Sequence, residues 1–146
     1  MESFQLRGKN GHIKISLIRV FGFPDKTTHW GGYGAICLLE LVASVYAVKS
    51  EFWTSTGELF HFYEQFKTCQ ERLAGKAAYK NYERNLSLYL EYDQIGHSRI
   101  TGEFREYALG QNVLQFEITG DQSYFTDSLS ELGLIVGKYG SDKGVG

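Results

Sequence analysis

Two segments in the second half of the chain alternate between apolar and polar residues. Residues 85–93 place Leu or Tyr at every second position, and residues 112–119 do the same with Leu, Phe and Ile. Residues 99–105, which lie between them, share this alternation, with Ile100 and Phe104 on the apolar side. A period of two residues with one polar face is typical of antiparallel strands that are covered on one face only. The sequence therefore predicts three neighbouring antiparallel strands here.

Further strands are predicted in the first half. Phe4 and Leu6 begin one run, and the Asn10-Gly11 pair that follows is the strongest short signal for a β-hairpin turn. Residues 12–21 alternate, whereas residues 35–42 and 44–53 are apolar on both parities in places, as in strands that are covered on both faces. Aromatic residues make up 15% of the chain, and aromatic side chains favour sheets.

Two segments show helical periodicity instead. Ser55 and Glu58 have the spacing of a capping box, and Gly75 is a natural helix end. The apolar stripe predicted for this helix is Leu59, Phe62, Tyr63, Phe66 and Leu73. A second helix is predicted over residues 123–136, with Asp121 or Ser123 as its N-cap and a stripe of Phe125, Leu129, Leu132 and Val136.

These elements predict an α+β fold, a largely antiparallel β-sheet or open sandwich with two helices packed on it. We expect one β-rich domain over residues 1–136 and a flexible Gly-rich tail over residues 137–146.

Charge and composition limit the partners. The net charge is −2, and no cluster of Lys and Arg resembles a nucleic-acid footprint, so we expect no nucleic-acid partner. Residues 33–48 are apolar, but Glu40 interrupts them and they are shorter than the roughly 20 residues of a membrane span. The N-terminus has no secretion-signal pattern, so we expect a cytoplasmic protein. Cys37 and Cys69 lack metal-finger spacing, Cys37 fits a buried strand, and no cofactor or metal is predicted.

No catalytic constellation is predicted. His97 and Asp93 could form an acid–base pair at a strand turn, although a histidine that only bonds to its own loop is the favoured interpretation. Trp30 could anchor a partner, although packing on the core is favoured. Several carboxylates should share the wet face of the sheet. Our candidate partner-binding residues are Trp30, Glu91, Asp93, Glu103 and Glu117.

The order of several motifs resembles a known family. Residues 4–15 resemble the F-x-L-x-G-x-x-G-x-I-x-I start of the WapI-type immunity proteins, small bacterial proteins of contact-dependent or wall-associated toxin systems. Residues 55–66 resemble the helix of that family. Residues 86–104 resemble its L-x-L-x-x-D-x-x-G-H stretch, and residues 116–125 resemble its strand that ends in Asp-Gln-[ST]-Tyr-[LF] before the last helix.

The resemblance implies a non-enzymatic protein that binds a cognate toxin domain and blocks it. Two alternatives stay open. One is a general binding or assembly module, including a homo-oligomer that pairs through an exposed sheet edge. The other is a small hydrolase that uses His97 with Asp93.

Overall fold

The computed structural model describes residues 1–146, and these fold into eight β-strands, two α-helices and one turn of 3₁₀ helix. The strands form two four-stranded sheets in which all pairings are antiparallel. The predicted α+β class is confirmed. The elements are β1 Ser3–Arg7, β2 Gly11–Phe21, β3 Gly34–Ala43, β4 Tyr46–Ser55, α1 Thr56–Arg72, β5 Gly75–Lys80, β6 Leu86–Tyr92, β7 His97–Arg105, β8 Val113–Asp121, the 3₁₀ turn Gln122–Tyr124 and α2 Phe125–Tyr139.

The first sheet is a meander with the order β1-β2-β3-β4. The predicted hairpin at Asn10-Gly11 joins β1 to β2, and Leu6 lies opposite Ile13 in the resulting pair. The register between β2 and β3 shifts between Leu17 and Arg19, which is a β-bulge.

The second sheet has the order β5-β6-β7-β8. The three strands predicted from alternation are confirmed as β6, β7 and β8. Strand β5 was not predicted. Only Ala77 and Tyr79 of this short strand are buried, so its sequence carries too little hydrophobic contrast to show a period of two.

One hydrophobic core joins both sheets and both helices. It contains 30 buried residues drawn from the apolar faces of the strands and the inner stripes of α1 and α2. Cys37 is fully buried in this core, as predicted, and burial raises the pKa of its thiol to about 12.

Helix α1 begins with the predicted capping box. The Ser55 hydroxyl accepts from the Glu58 N–H, and the Glu58 carboxylate accepts from the Ser55 N–H. The helix ends at Arg72, and Leu73 adopts a left-handed conformation. The prediction that Leu73 lies on the buried stripe was wrong. Its side chain is exposed, and Cys69 occupies the last buried position because the helix ends before Leu73 can face the core.

Helix α2 begins later and ends later than predicted. The 3₁₀ turn Gln122–Tyr124 precedes it, and neither Asp121 nor Ser123 makes a side-chain cap. Its fully buried positions are Phe125, Ser128, Leu132, Ile135 and Tyr139, so the buried stripe is rotated from the predicted one. The predicted domain boundary at residue 136 falls inside the last turn of this helix.

The segment after α2 packs against the loop between β2 and β3. The Gly32 N–H donates to the Asp142 carbonyl, and the Val145 N–H donates to the Tyr33 hydroxyl. Tyr33 is fully buried. Residues 140–146 therefore help to bury an aromatic side chain, and the expectation that they are flexible stays a prediction.

Three of the four outermost strands have part of their free edges covered. The Gln5 N–H of β1 donates to Glu131 of α2, and the Ala78 N–H of β5 donates to Gln65 of α1. At β8, the Asn10 side chain donates to the Glu117 carbonyl and accepts from the Thr119 N–H. Covered edges cannot pair with another strand.

Candidate partner-binding surface

The outer face of the second sheet carries most of the predicted site residues. The alternate positions that point away from the core are exposed or half-buried, and we call them the second-sheet face. Its charged members are four basic residues, Lys76, Lys80, Arg99 and Arg105, and four acidic residues, Glu91, Glu103, Glu117 and Asp121.

Ion pairs cross all four strands of this face. The Arg99 guanidinium lies 2.9 Å from a Glu91 carboxylate oxygen and 3.4 Å from a Glu117 oxygen, and the Lys76 ammonium lies 3.7 Å from Glu91. We call these four residues the charge ladder. The hydrogen bond from Arg99 lowers the pKa of Glu91 below its ordinary value. The ladder therefore keeps Glu91 ionised.

Glu103 has partners of its own. The Arg105 Nε lies 3.0 Å from one carboxylate oxygen, and the Gln115 amide donates to the other at 3.4 Å. Cations therefore pair with each glutamate of the second-sheet face. The surface that the carboxylate pattern suggested as acidic is one of mixed charge.

Asp93 and His97 stabilise the turn between β6 and β7. One Asp93 oxygen accepts from the N–H groups of Ile95 and His97, and the other lies 3.3 Å from His97 Nδ1. Desolvation is the largest single influence on the pKa of Asp93 and raises it, but the amide hydrogen bonds from His97 and Ile95 and the nearby His97 side chain together outweigh it, so the pKa lies below its ordinary value. The Asp93 and His97 side chains are therefore in contact, and this contact closes the turn between β6 and β7.

This turn borders a cavity of about 540 Å³, which Lys9, Glu91, Arg99 and Thr119 also line. Ser98, the hydroxyl nearest to His97 in sequence, is buried on the opposite side of strand β7. Ser98 also borders the cavity, but strand alternation places its side chain on the buried side of β7, whereas the His97 side chain lies on the exposed side.

Trp30 forms the most exposed aromatic contact in this region. Its indole stacks on the Tyr82 ring with centroids 4.9 Å apart and planes 5° from parallel, and 51% of the residue remains exposed. We call this pair the aromatic stack. It lies outside the core, so the favoured interpretation that Trp30 packs on the core was wrong.

The loop that carries Trp30 is held against the start of α1. The Trp30 carbonyl accepts from the Ser55 hydroxyl, and the Gly57 N–H donates to the Gly31 carbonyl. A Cβ at Gly57 would lie 2.6 Å from the Gly31 carbonyl carbon, so this close approach requires glycine. The N-terminal N–H groups of α1 are used by the chain itself, which leaves none for a phosphate.

A second cavity, of about 890 Å³, connects the aromatic stack to the second-sheet face. Trp30 and Tyr82 line it from the loops, Tyr89 and Glu103 line it from the sheet, and Glu58 contributes a carboxylate. Burial raises the pKa of Glu58 above its ordinary value, against the hydrogen bonds from Thr54 and Ser55.

The structure divides the five predicted site residues between two ends of one face. Trp30 and Glu103 line the larger cavity, Glu91 and Asp93 line the smaller one, and Glu117 joins the charge ladder. Sequence reasoning missed Arg99 and Tyr82. The alternation of β7 places Arg99 on the same face as the carboxylates, so Arg99 could have been predicted as a member of the site. No pattern in the sequence connects Tyr82 to Trp30.

Two further features concern metal binding and the membrane. No group of three or more His, Cys, Asp and Glu side chains is arranged to hold a metal ion. Neither helix has the length and apolar character that crossing a membrane requires.

Comparison with known proteins gave one match. No curated protein and no solved structure matches the chain. The model of the Immunity protein WapI-like family matches residues 5–140. These residues run from the first strand to the end of α2 and include the second-sheet face and the aromatic stack. The chain therefore belongs to the WapI-like immunity protein family.

Proposed function

We propose that this protein is a non-enzymatic bacterial immunity protein that binds a cognate toxin domain in the cytoplasm and neutralises it. Membership of an immunity protein family supports a role of this kind. We further propose that the toxin domain binds the second-sheet face, with the aromatic stack as its anchor. The observation that carries this choice is the half-exposed Trp30, which stacks on Tyr82 at the border of the larger cavity.

The chemistry of this surface suits a protein partner. Trp and Tyr are enriched at binding hot spots, because each presents a large rigid area with one polar group. The stack is already formed in the free protein, so little conformational entropy is lost when it is buried in a complex. The charge ladder beside it offers both signs of charge, which favours recognition of one complementary pattern over a general attraction to basic surfaces.

Two features argue for binding without catalysis. One carboxylate oxygen of Asp93 already accepts hydrogen bonds from two backbone N–H groups, and the Ser98 hydroxyl points away from His97. Replacing His97 with Ala should therefore leave neutralisation of the toxin unchanged. Loss of neutralisation in a variant that still folds and still binds the toxin domain would instead support the hydrolase alternative.

The proposed function predicts that a polymorphic toxin is encoded beside this gene, and the first experiment is co-expression with that toxin. Cells that express the toxin domain alone should stop growing, and cells that also express this protein should grow. Isothermal titration with an inactive toxin domain should then show a tight complex. Growth arrest that co-expression fails to relieve would contradict the proposed function.

The second experiment locates the surface. Trp30→Ala and Tyr82→Ala should each weaken the complex by roughly 30-fold or more, the loss expected for a hot-spot residue. Trp53→Ala is a matched control, because Trp53 is also a partly exposed Trp that stacks on an aromatic ring, but on the first sheet. Equal losses in all three variants would contradict the assignment of the surface and leave the proposed function standing.

A further inference from the structure

Strand β4 is an outermost strand whose edge is left open over its first half. Its first half, Tyr46 to Glu51, is exposed or half-buried, and no side chain from another element bonds to its backbone there. The edges of β1, β5 and β8 are covered by Glu131, Gln65 and Asn10. An uncovered edge presents free N–H and C=O groups to a strand of another molecule.

The hairpin between β3 and β4 determines which residues present those groups. Ala43 pairs with Tyr46 across the two-residue turn Ser44–Val45, so these two exchange backbone hydrogen bonds. Every second residue of β4 then bonds to β3, and the residues between them point outward. Lys49 and Glu51 are two of these outward residues. Trp53 is another, and its carbonyl accepts from Asn81, as this alternation requires.

We propose that two copies of this chain pair antiparallel through β4, so that their first sheets join into one continuous sheet. The pairing is centred on Ser50, which lies opposite its own copy. Lys49 of each copy then lies opposite Glu51 of the other, and both residues direct their backbone groups at the partner strand. This gives about four backbone hydrogen bonds and two cross-strand ion pairs.

Charge selects this register over its neighbours. A shift that centres the pairing on Lys49 places two ammonium groups opposite each other, and a shift that centres it on Glu51 does the same with two carboxylates. Like charges that lie directly opposite are destabilising in a sheet. Beyond this segment the Asn81 side chain already bonds to the Trp53 carbonyl, which limits the paired length. The segment 48–52 is therefore self-complementary in both backbone and charge.

The first test is the mass of the protein in solution at increasing concentration. Sedimentation equilibrium should show the mass rising from the 16.6 kDa monomer towards the dimer. Lys49→Glu and Glu51→Lys should each weaken the dimer by about tenfold or more, because each places like charges opposite one another. The double variant Lys49→Glu/Glu51→Lys should restore the dimer, since the swapped charges again face their opposites.

Controls separate this effect from a general effect of charge. Lys67→Glu and Glu71→Lys make the same changes on the exposed surface of α1 and should leave the mass unchanged. Lys49→Glu also places two carboxylates opposite each other within the monomer, because residue 49 pairs with Glu40. The double variant has the same unfavourable pair within the monomer. Recovery of the dimer in the double variant therefore reports on the contact between the two copies alone. A monomer at every concentration would overturn the proposal. A double variant that stays monomeric would overturn it too.

The second test reads the register directly. Directly opposite residues of this type have Cα atoms about 4.5 Å apart, within the range that a disulfide can bridge. Ser50→Cys should therefore form a disulfide-linked dimer under mild oxidation, whereas Lys49→Cys should not, because Lys49 faces Glu51. Both natural cysteines are buried, which leaves the introduced thiol as the reactive one. Efficient linkage of the Lys49→Cys variant, with none at position 50, would overturn the register.

Discussion

Asn10 contributes both to the turn between β1 and β2 and to the contact between the two sheets. Together with Gly11 it forms the turn between β1 and β2, which the sequence predicts. Its amide also bonds to the backbone of β8 on both polar atoms, at the Glu117 carbonyl and the Thr119 N–H. These partners lie 107 and 109 residues away, so no local pattern could have indicated the second contact.

We expect Asn10→Ala to lower the free energy of unfolding by about 1–2 kcal/mol, because it removes two hydrogen bonds from a partly exposed site. Urea denaturation followed by circular dichroism measures this change. Asn112→Ala is the control, since Asn112 is exposed in the loop before β8 and makes no side-chain hydrogen bond. Equal losses in the two variants would show that the contact with β8 contributes nothing.

Glu58 gives a prediction about pH. Burial raises its pKa in the folded protein above the value of 4.5 that is ordinary for glutamate. The folded state therefore binds the proton more tightly than the unfolded state, and the free energy of unfolding falls as the pH rises from about 4.5 through the raised pKa. The Gln variant keeps an acceptor for Ser55 and loses this ionisation.

Glu58→Gln should therefore gain stability relative to the natural protein as the pH rises through that interval, and the difference should level off once the pH exceeds the raised pKa. Denaturation midpoints measured over a pH series test this expectation. Glu64→Gln, an exposed change on the same helix, should show no such trend. A difference that shrinks as the pH rises would contradict the direction assigned to the pKa of Glu58.

At the scale of elements, the C-terminal segment supports the loop that carries the aromatic stack. Residues 140–146 hydrogen-bond to Gly32 and Tyr33, and the latter residue lies three positions after Trp30. His61 of α1 also lies 3.5 Å from Asp142. The tail, the loop and the start of α1 therefore form one packed unit.

Removing residues 141–146 should lower the free energy of unfolding by about 1–3 kcal/mol, because it uncovers Tyr33 and removes two hydrogen bonds. Trp30 fluorescence should change as well, since its loop loses a support, whereas Asp142→Ala should cause only a fraction of the effect. If the truncated protein keeps its full stability, the contact is unimportant and the prediction of a flexible tail is supported.

The sequence predicted elements well where hydrophobic contrast was high. Strands β6 to β8 and the capping box at Ser55 were evident, because each has a local pattern that needs no partner. Strand β5 was missed because its paired residues are mostly small or charged. The burial of α2 was misjudged because β1 and α1, which are distant in sequence, decide which side of the helix is covered.

The candidate site was predicted only in part, for a related reason. Alternation placed Glu91, Glu103 and Glu117 on one face correctly. The structure shows that Arg99 and Arg105 pair with these carboxylates, so the face carries mixed charge and not only negative charge. The aromatic stack depends on two loops that meet only in the folded chain, so Trp30 could be named a candidate while its contact with Tyr82 could not.

At the scale of the whole molecule, two four-stranded meanders share a single core with both helices. Because no sheet has a core of its own, we expect one cooperative unfolding transition. Far-ultraviolet and near-ultraviolet circular dichroism should give the same midpoint in urea. Two separate transitions would mean that one sheet keeps its structure without the other, which a continuous core excludes.

The hydrogen bonds between α2 and the N-terminal residues, including β1, also determine when this protein can finish folding. Glu131 covers the Gln5 N–H, while Lys138 and Tyr139 both bond to Glu2. A chain still on the ribosome has made β1 long before it makes α2, so its first strand stays uncovered until α2 has been synthesised. Native structure should therefore appear only after α2 has emerged from the ribosome, and a chain that stalls before α2 should aggregate through that uncovered strand.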